Sequence, residues 1–233
     1  MPVAILIPAY EPDEALIGLV RRLKESFDRV VVVDDGSRDS AKVFDAIAGD
    51  VEKILRHERN RGKGAAIKTG LGYIGNSANV VIADCDGQHT VADICRIASM
   101  FGRQREGIVL GVRKFTGKVP LRSRFGNWWT RLYFFVATGM KLNDTQTGLR
   151  GIPSSLVEWA ASLPGERYEY EMAMLVASRR NREKPLEIEI ETVYLDDNKS
   201  SHFSPLADTW RIYKMMFGYA WFRKRYCGNC ALH

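Results

Sequence analysis

The stretch VVIADCDGQHTVADI, residues 80–94, connects a strand to a helix through a turn that carries two carboxylates. Apolar residues lead directly into Asp84 and Asp86, and the apolar residues after the turn recur at helical spacing. A buried strand does not end in two unpaired carboxylates unless a cation offsets their charge. The stretch therefore predicts a strand–turn–helix unit whose turn binds a cation.

The same unit recurs along the first half of the chain. Strands are predicted at 3–9, 29–37, 51–57, 79–87 and 107–113, with helices between them at 12–27, 39–49, 62–75 and 90–103. Strands that alternate with helices of about 10–15 residues indicate an α/β fold with a doubly wound, mostly parallel sheet. Ligands of such sheets bind beyond the carboxyl ends of the strands. The polar clusters PAYEPD, VDDGS, ADCDGQH and GVRK all stand at those ends.

The second half is less regular. We predict a helix at 120–139, a polar loop or short strand at 143–153, a helix at 168–180, a half-exposed strand at 185–197 and a final helix at 206–226. Residues 1–197 are expected to form the main domain. Residues 198–233 are expected to add a loop and a basic, aromatic helix to the same globule.

Composition limits the class of protein. The chain has 233 residues, 45% of them hydrophobic, which is enough for one large domain with its own core. No apolar run approaches the ~20 residues of a membrane span. The first residues lack the basic region of a signal peptide, so we expect a cytoplasmic protein. The four cysteines show no disulfide spacing, and Cys227 and Cys230 lack the further ligands of a zinc site.

Positive charge is concentrated near the C-terminus. The net charge is +6, and the chain from Asn198 onward carries six basic residues and one acid. Such a tail favours an anionic partner, and because no nucleic-acid-binding motif accompanies it we expect a phosphate or a lipid surface. The basic residues alternate with aromatic ones, as at a membrane interface, although an aromatic stripe can equally be core or a dimer contact. These aromatic residues are Trp210, Tyr213, Phe217, Trp221 and Phe222.

Asp84 and Asp86 are the candidate metal ligands. In extended backbone, two residues that flank a third point to the same side, so both carboxylates would face one ion. With the amide oxygen of Gln88 they offer the oxygen ligands that Mg²⁺ or Mn²⁺ prefers. The alternative is an acidic loop that caps the helix beginning at Thr90.

Two further clusters suit a nucleotide. VVVVDDGS ends in Asp34 and Asp35, and an acid at a strand end can accept from a base or a ribose hydroxyl, unless DGS is only a turn. NRGKGAAIKTG, residues 60–70, places glycines and Lys63 at a helix N-terminus. That arrangement favours a phosphate, although it is not a Walker loop.

Together these clusters resemble family 2 glycosyltransferases of the GT-A fold. The motifs that carry the resemblance occur in the family's order and approximate spacing: IPAYEPD, VVVDDGS, NRGKGAAIKTG, ADCDGQH, GVRKF, DTQTGLRG and YEYEMAML. The resemblance as a whole spans residue 3 to about residue 215. Within the family the chain is most similar to the dolichyl- and polyprenyl-phosphate mannose and glucose synthases. The resemblance implies a nucleotide-diphosphate sugar donor and a polyprenyl (dolichyl-type) phosphate acceptor.

The resemblance also implies roles for individual residues. Asp84 and Asp86 match the DXD motif, which holds a divalent ion, and Gln88 matches a further metal ligand. The matching donor residues are Pro8, Tyr10, Glu11 and Asp35 around the nucleoside, and Lys63, Arg113 and Arg124 near the phosphates. The matching acceptor-side residues are Thr147, Gly148 and Arg150, then Glu171 lining the active site, and Lys199 and Ser200 in an acceptor loop.

Two segments depart from the family pattern. PAYEPD stands where the family has PAYNE, which leaves open whether Glu11 or Asp13 faces the nucleoside. The loop NKSSHFSP lacks the usual Arg-x-x-Gly lead-in, which leaves the acceptor contacts of Lys199 and Ser200 open.

The implied reaction is an inverting displacement at an anomeric carbon, with a nucleotide diphosphate leaving. A divalent ion, Lys63 and an arginine would stabilise the leaving group, unless the arginines only form a solvated face. The catalytic candidates are Asp86, Arg113, Arg124 and Glu171. A phosphate acceptor is already ionised, whereas a hydroxyl acceptor needs a general base, for which Glu171 is the candidate.

Several alternatives stay open. The acceptor could be a sugar hydroxyl of a glycan or glycolipid, or the chain could be a non-catalytic nucleotide-sugar-binding subunit. For the preferred reading we expect a peripheral protein at the inner face of the membrane. A homodimer and a membrane-protein partner are both compatible with it.

Overall fold

The computed structural model of the protein describes residues 1–102, 107–113, 121–180, 184–191, 211 and 213–215, with backbone only at 121–129 and 179–180. The strands in these residues are β1 (Val3–Ala9), β2 (Arg29–Asp34), β3 (Lys53–Arg56), β4 (Asn79–Ile82), β5 (Val109–Arg113), β6 (Arg150–Ile152) and β7 (Leu186–Ile190). The α-helices are α1 (Glu14–Lys24), α2 (Ala41–Ile47), α3 (Lys63–Ile74), α4 (Val91–Ala98), α5 (Leu121–Thr138), α6 (Val157–Ser162) and α7 (Glu169–Arg180). Short 3₁₀ helices lie at Gly75–Ser77, Ser99–Gly102 and Ser154–Leu156.

The strands form one sheet in the order β3-β2-β1-β4-β6-β5-β7. β6 is antiparallel to both of its neighbours, and the other pairings are parallel. The predicted α/β fold with a mostly parallel sheet is thus confirmed. β6 lies in the segment predicted as a polar loop or short strand, and its three residues are too few to show an alternating pattern.

Helices cover both faces of the sheet. In β1, Leu6 packs in one core cluster with Ile67 of α3, and Ile7 packs in the other with Leu19 of α1. Successive side chains of a strand point to opposite faces, so burial on both faces requires the continuous apolar run VAILIPA. The doubly wound arrangement follows directly from that run.

The predicted strands extend past the observed ones at the carboxyl edge. β4 ends at Ile82, and residues 85–86 form a turn that leads to Gly87 with a φ of 73°. The extended backbone expected at Asp84–Asp86 is therefore wrong, because the chain turns there. Thr90 caps α4 by accepting from the N–H of Asp93, so the acidic loop does not cap this helix.

Other differences lie in the second half. α6 and the 3₁₀ helix before it were not predicted, because their nine residues mix small, polar and apolar types without a clear period. β7 ends at Ile190, whereas the predicted strand ran to 197. Residues 211 and 213–215 are helical, as predicted. The predicted domain boundary at 197/198 lies outside the described residues. Among the helices of the described part, none is both long and apolar enough to cross a bilayer.

Candidate active site

A cleft of about 170 Å³ opens at the carboxyl ends of β1, β2 and β4. The end of β1 contributes Pro8 and Tyr10, the residue after β2 contributes Asp35, and the turn after β4 contributes Asp84 and Asp86. Parallel strands deliver their carboxyl ends to one edge of the sheet, which is why residues far apart in sequence meet there. The cleft therefore lies where the polar clusters of the sequence predicted a ligand site.

Lys63, the first residue of α3, is the central cation of the cleft. Its Nζ lies 2.6 Å from Oδ1 of Asp84 and 3.0 Å from Oε1 of Glu171. Burial alone would lower the pKa of Lys63, but the two carboxylates outweigh burial and raise that pKa above its ordinary value. Burial would likewise raise the pKa of Asp84, but Lys63 and His89 hold it well below its usual range. The lysine and Asp84 are consequently a fixed ion pair.

Asp86 has a different electrostatic environment. Burial and the neighbouring charge of Asp84 raise the pKa of Asp86. Its Oδ1 accepts a hydrogen bond from the main-chain N–H of Gln88 at 3.0 Å. His89 is buried, and its Nε2 lies 3.4 Å from Oδ2 of Asp84. The two acids of the motif thus interact closely, and of the two only Asp84 has a lowered pKa.

The loop before β6 closes against Asp84. A Cβ atom on Gly148 would lie 2.0 Å from Oδ2 of Asp84, so any larger residue here would have to displace that carboxylate. Arg150 is fully buried; it donates to the main-chain oxygen of Thr147 at 3.0 Å and to that of Glu171 at 2.5 Å. The acceptor contact expected of Arg150 stays a prediction; in the structure this guanidinium is enclosed and has a positioning role. It holds the glycine loop and the first turn of α7 together.

Asp35 fixes the loop that precedes α3. Its carboxylate lies 2.7 Å from Nδ1 of His57 and accepts from the main-chain N–H groups of Arg61 (3.0 Å) and Gly62 (2.7 Å). Asp35 is therefore more than part of a DGS turn. The local turn contact is made by Asp34, whose carboxylate accepts from the main-chain N–H of Ser37 at 2.8 Å. Asp35 lines the cleft and at the same time sets the position from which α3 begins.

Glu11 and Asp13 have separate roles. The Asp13 side chain caps α1. Glu11 has a positive φ of 46°, and its carboxylate accepts from the main-chain N–H groups of Arg38 and Asp39 and from the hydroxyl of Ser40. Glu11 therefore joins the end of β1 to the start of α2. It does not belong to the cleft lining, so its contact with the nucleoside stays a prediction.

Arg113 forms a two-point bond with a buried acid. Its Nε and Nη2 donate to the carboxylate of Asp144 at 2.6 and 3.1 Å, and Asp144 is fully buried. This contact shows that Arg113 is more than part of a solvated face, and its role near the phosphates stays a prediction. Arg124, Lys199 and Ser200 lie outside the described side chains.

Sequence comparison agrees with this geometry. The model of "Glycosyl transferase family 2" matches residues 4–152, which include β1 to β6 and every acid of the cleft except Glu171. The chain belongs to this family. The fold and the enzyme class expected from the sequence, a GT-A glycosyltransferase, are thereby confirmed.

Two relatives of this glycosyltransferase are named for dolichyl phosphate, a lipid phosphate. The UDP-N-acetylglucosamine–dolichyl-phosphate N-acetylglucosaminyltransferase of Methanococcus voltae is 27% identical over 82% of this chain and 86% of its own length. The dolichyl-phosphate β-glucosyltransferase of Mus musculus is 25% identical over 74% of this chain and 61% of its own length. The expected similarity to dolichyl-phosphate sugar synthases is confirmed.

A solved structure shares the fold. Glucosyl-3-phosphoglycerate synthase from Mycobacterium tuberculosis, in complex with Mn²⁺, UDP and phosphoglyceric acid, superposes with a TM-score of 0.67. The match covers 98% of this chain and 80% of that one at 16% identity. At this identity the likeness concerns the fold alone.

A divalent ion at Asp84 and Asp86 stays a prediction, and the chemistry of these two acids is compatible with an ion that is shared with a ligand. Within the described ranges, no group of three acidic, histidine or cysteine side chains surrounds a common point. Mg²⁺ and Mn²⁺ need only one or two protein carboxylates when phosphate oxygens complete the coordination. Asp84 and Asp86 supply two, and the raised pKa of Asp86 marks a carboxylate that a nearby cation would favour. The metal contact of the Gln88 side chain stays a prediction.

Sequence reasoning missed three residues that line the cleft. Asn60, Arg167 and Tyr168 belong to loops, and the Lys63 ammonium lies 5.9 Å from the centroid of the Tyr168 ring. The loop of Arg167 can pack directly against the backbone of Gly62, because glycine has no Cβ. A Cβ at this position, where φ is 108°, would lie 2.5 Å from Arg167. The polar run GERYEYE before α7 is a signal that could have indicated a site loop.

Proposed function

We propose that this glycosyltransferase moves a sugar from a nucleotide-diphosphate sugar to a polyprenyl phosphate, with inversion at the anomeric carbon and with a divalent metal ion. The relatives named for dolichyl-phosphate acceptors support the acceptor class. Support also comes from an undecaprenyl-phosphate 4-deoxy-4-formamido-L-arabinose transferase of Pseudomonas fluorescens, 30% identical over 67% of this chain and 48% of its own length. A polyprenyl phosphate resides in a bilayer, so the chain would work at a membrane surface as a peripheral protein.

The pairing of Glu171 with Lys63 carries the proposal. A hydroxyl acceptor requires a base that can take its proton. Glu171 is the candidate, but its Oε1 lies 3.0 Å from the buried ammonium of Lys63. This carboxylate is already engaged as a counter-ion of the buried lysine, which commits it to the ammonium rather than to an acceptor hydroxyl. An ionised phosphate needs no base, so this arrangement favours a phosphate acceptor.

The residues of the chain would act mainly through charge. Lys63 stands at the helix N-terminus beside the diphosphate position, where its ammonium would stabilise the negative charge on the leaving oxygen. Asp84 and Glu171 hold that ammonium in place before the donor arrives. A divalent ion bound by Asp84 and Asp86 would neutralise the diphosphate. One bond forms from the acceptor phosphate oxygen to the anomeric carbon, and the bond to the diphosphate oxygen breaks.

Product analysis tests the proposal. The protein is incubated with Mn²⁺, a panel of UDP- and GDP-sugars and a short-chain, water-soluble polyprenyl phosphate, and products are identified by mass spectrometry. We expect a sugar polyprenyl phosphate from one donor. Glu171→Gln should keep the greater part of this activity, because the amide oxygen can still accept from Lys63 and Asp84 still pairs with it. The exposed Glu14→Gln serves as the matched control. Transfer only to hydroxyl acceptors, or donor binding without transfer to any acceptor, would overturn the proposal in favour of the two alternatives.

A further inference from the structure

Helix α5 has an apolar stripe on its outer face. Leu132, Phe135 and Val136 are 42%, 39% and 75% exposed, and their spacing of three and four places them on one side of the helix. Thr130 and Phe134 on the other side are buried. Large apolar side chains that are exposed together mark a surface that contacts a partner.

The stretch of sequence that contains this stripe is rich in basic residues. Residues 107–143 contain no acidic residue, and their basic residues are Arg113, Lys114, Lys118, Arg122, Arg124, Arg131 and Lys141. Of these, Arg113 is bonded to Asp144, the first acid after the segment, and Lys114, Lys118, Arg122 and Arg124 lie outside the described side chains. Lys141 is exposed, and its ammonium lies 5.5 Å from the centroid of the Phe135 ring, at the edge of the stripe. An apolar stripe with a cation at its edge complements an apolar surface that carries anions.

The inner side of α5 already has its packing partners. Tyr133 makes an edge-to-face contact with Tyr213, with 5.0 Å between ring centroids, and Met215 is buried in the same core cluster as Phe134. The described residues of the C-terminal helix therefore pack on the inner side, not on the stripe. Leu132, Phe135 and Val136 belong to neither core cluster of the described residues.

We propose that the stripe of α5 docks on an anionic phospholipid bilayer, with Leu132, Phe135 and Val136 at the boundary between headgroups and acyl chains. This inference rests on the proposed function, because a polyprenyl-phosphate acceptor must be reached at a membrane. α5 also connects to the cleft. Gln146 donates to the hydroxyl of Thr130 at 3.4 Å, and two residues later Gly148 of the same loop packs against Asp84.

Vesicle flotation of the full chain tests the docking surface. The protein is mixed with vesicles of phosphatidylcholine alone or of phosphatidylcholine with phosphatidylglycerol. We expect binding to the anionic vesicles that weakens as salt is raised, and a loss of about tenfold in binding for Val136→Glu. The matched control is Tyr73→Glu, which places the same charge on a 43% exposed side chain of α3 and should bind like the wild type. Circular dichroism melting checks that both variants fold.

The outcomes separate docking from the proposed function. Equal binding of Val136→Glu and the wild type, or no binding by the wild type, overturns the docking surface. A dimer in the wild type that Val136→Glu dissociates also overturns it, since the stripe would then join two copies. Transfer to the short-chain acceptor without vesicles should be the same in Val136→Glu and the wild type. If that transfer occurs while vesicle binding fails, only the docking inference is lost; if binding occurs without transfer, only the proposed function is lost.

Discussion

The contact between Gly148 and Asp84 gives the sharpest test of the cleft. In Gly148→Ala the new methyl would stand 2.0 Å from a carboxylate oxygen, about 1.4 Å short of an ordinary contact at 3.4 Å. The carboxylate can rotate away, so the loss in free energy of unfolding should be at the lower end of about 1–3 kcal/mol. Rotation, however, breaks the 2.6 Å contact with Lys63. A displacement of this size at a reacting centre lowers activity by about 100-fold.

Two measurements on Gly148→Ala separate these effects. Urea unfolding gives the change in stability, and kcat/KM for the donor sugar gives the change in activity. Gly72→Ala is the matched control, because a Cβ at this position of α3 meets no atom within 4 Å. It should stabilise the protein by up to about 1 kcal/mol and leave activity unchanged. Activity of Gly148→Ala within about twofold of wild type would show that the position of Asp84 does not matter for transfer.

Three further changes test the electrostatics and the backbone. Burial and a neighbouring acid raise the pKa of Asp86, so its ionised form destabilises the native state at neutral pH. Asp86→Asn should therefore raise the Tm of the metal-free protein at pH 7, lose that advantage as the pH falls through the pKa, and abolish stabilisation by Mn²⁺; a lower Tm at pH 7 would contradict this. Lys63→Met leaves two carboxylates without their buried cation and should cost about 3 kcal/mol in urea unfolding. The pKa of Lys63 is raised and that of Asp84 is lowered, so this loss of stability should be full between about pH 4 and pH 10 and should shrink in acid. A loss that does not depend on pH would refute the charge argument. In Gly36→Ala the new methyl would lie 2.3 Å from a main-chain atom, at a position whose φ is 80°. This change should lower the free energy of unfolding by about 2 kcal/mol more than the control Gly49→Ala, whose Cβ meets no atom within 4 Å. Equal melting curves of the two variants would show that the loop can move to accept the methyl.

The acids of the cleft could be predicted because they interrupt apolar runs. Asp35, Asp84 and Asp86 follow continuous buried strands, and carboxyl ends of parallel strands meet at one edge whatever the details of the loops. Lys63 was predictable for a similar reason, since glycines and a helix start surround it. These signals are local in sequence, and the fold converts them into a cluster.

The partners of these residues could not be predicted in the same way. His57 bonds Asp35 across 22 positions, and Glu171 reaches Lys63 from α7, so both contacts depend on how the helices pack. Arg150 follows a family pattern for acceptor residues, but the insertion of β6 between β4 and β5 buries it. Such long-range contacts leave no periodic trace in the sequence.

The reversed direction of β6 has a consequence for changes in loop length. In a parallel strand the residues after the strand reach the cleft, but in β6 the residues before it do, since Gly148 precedes Arg150 and touches Asp84. The residues after β6 lie at the opposite edge, where the main-chain N–H of Ser154 bonds the Asn79 side chain at the start of β4. An insertion upstream of Arg150 would thus displace the loop that contacts Asp84 in the cleft, whereas one downstream of Ile152 would change the opposite edge of the sheet. Loop grafts aimed at new acceptors should respect that asymmetry.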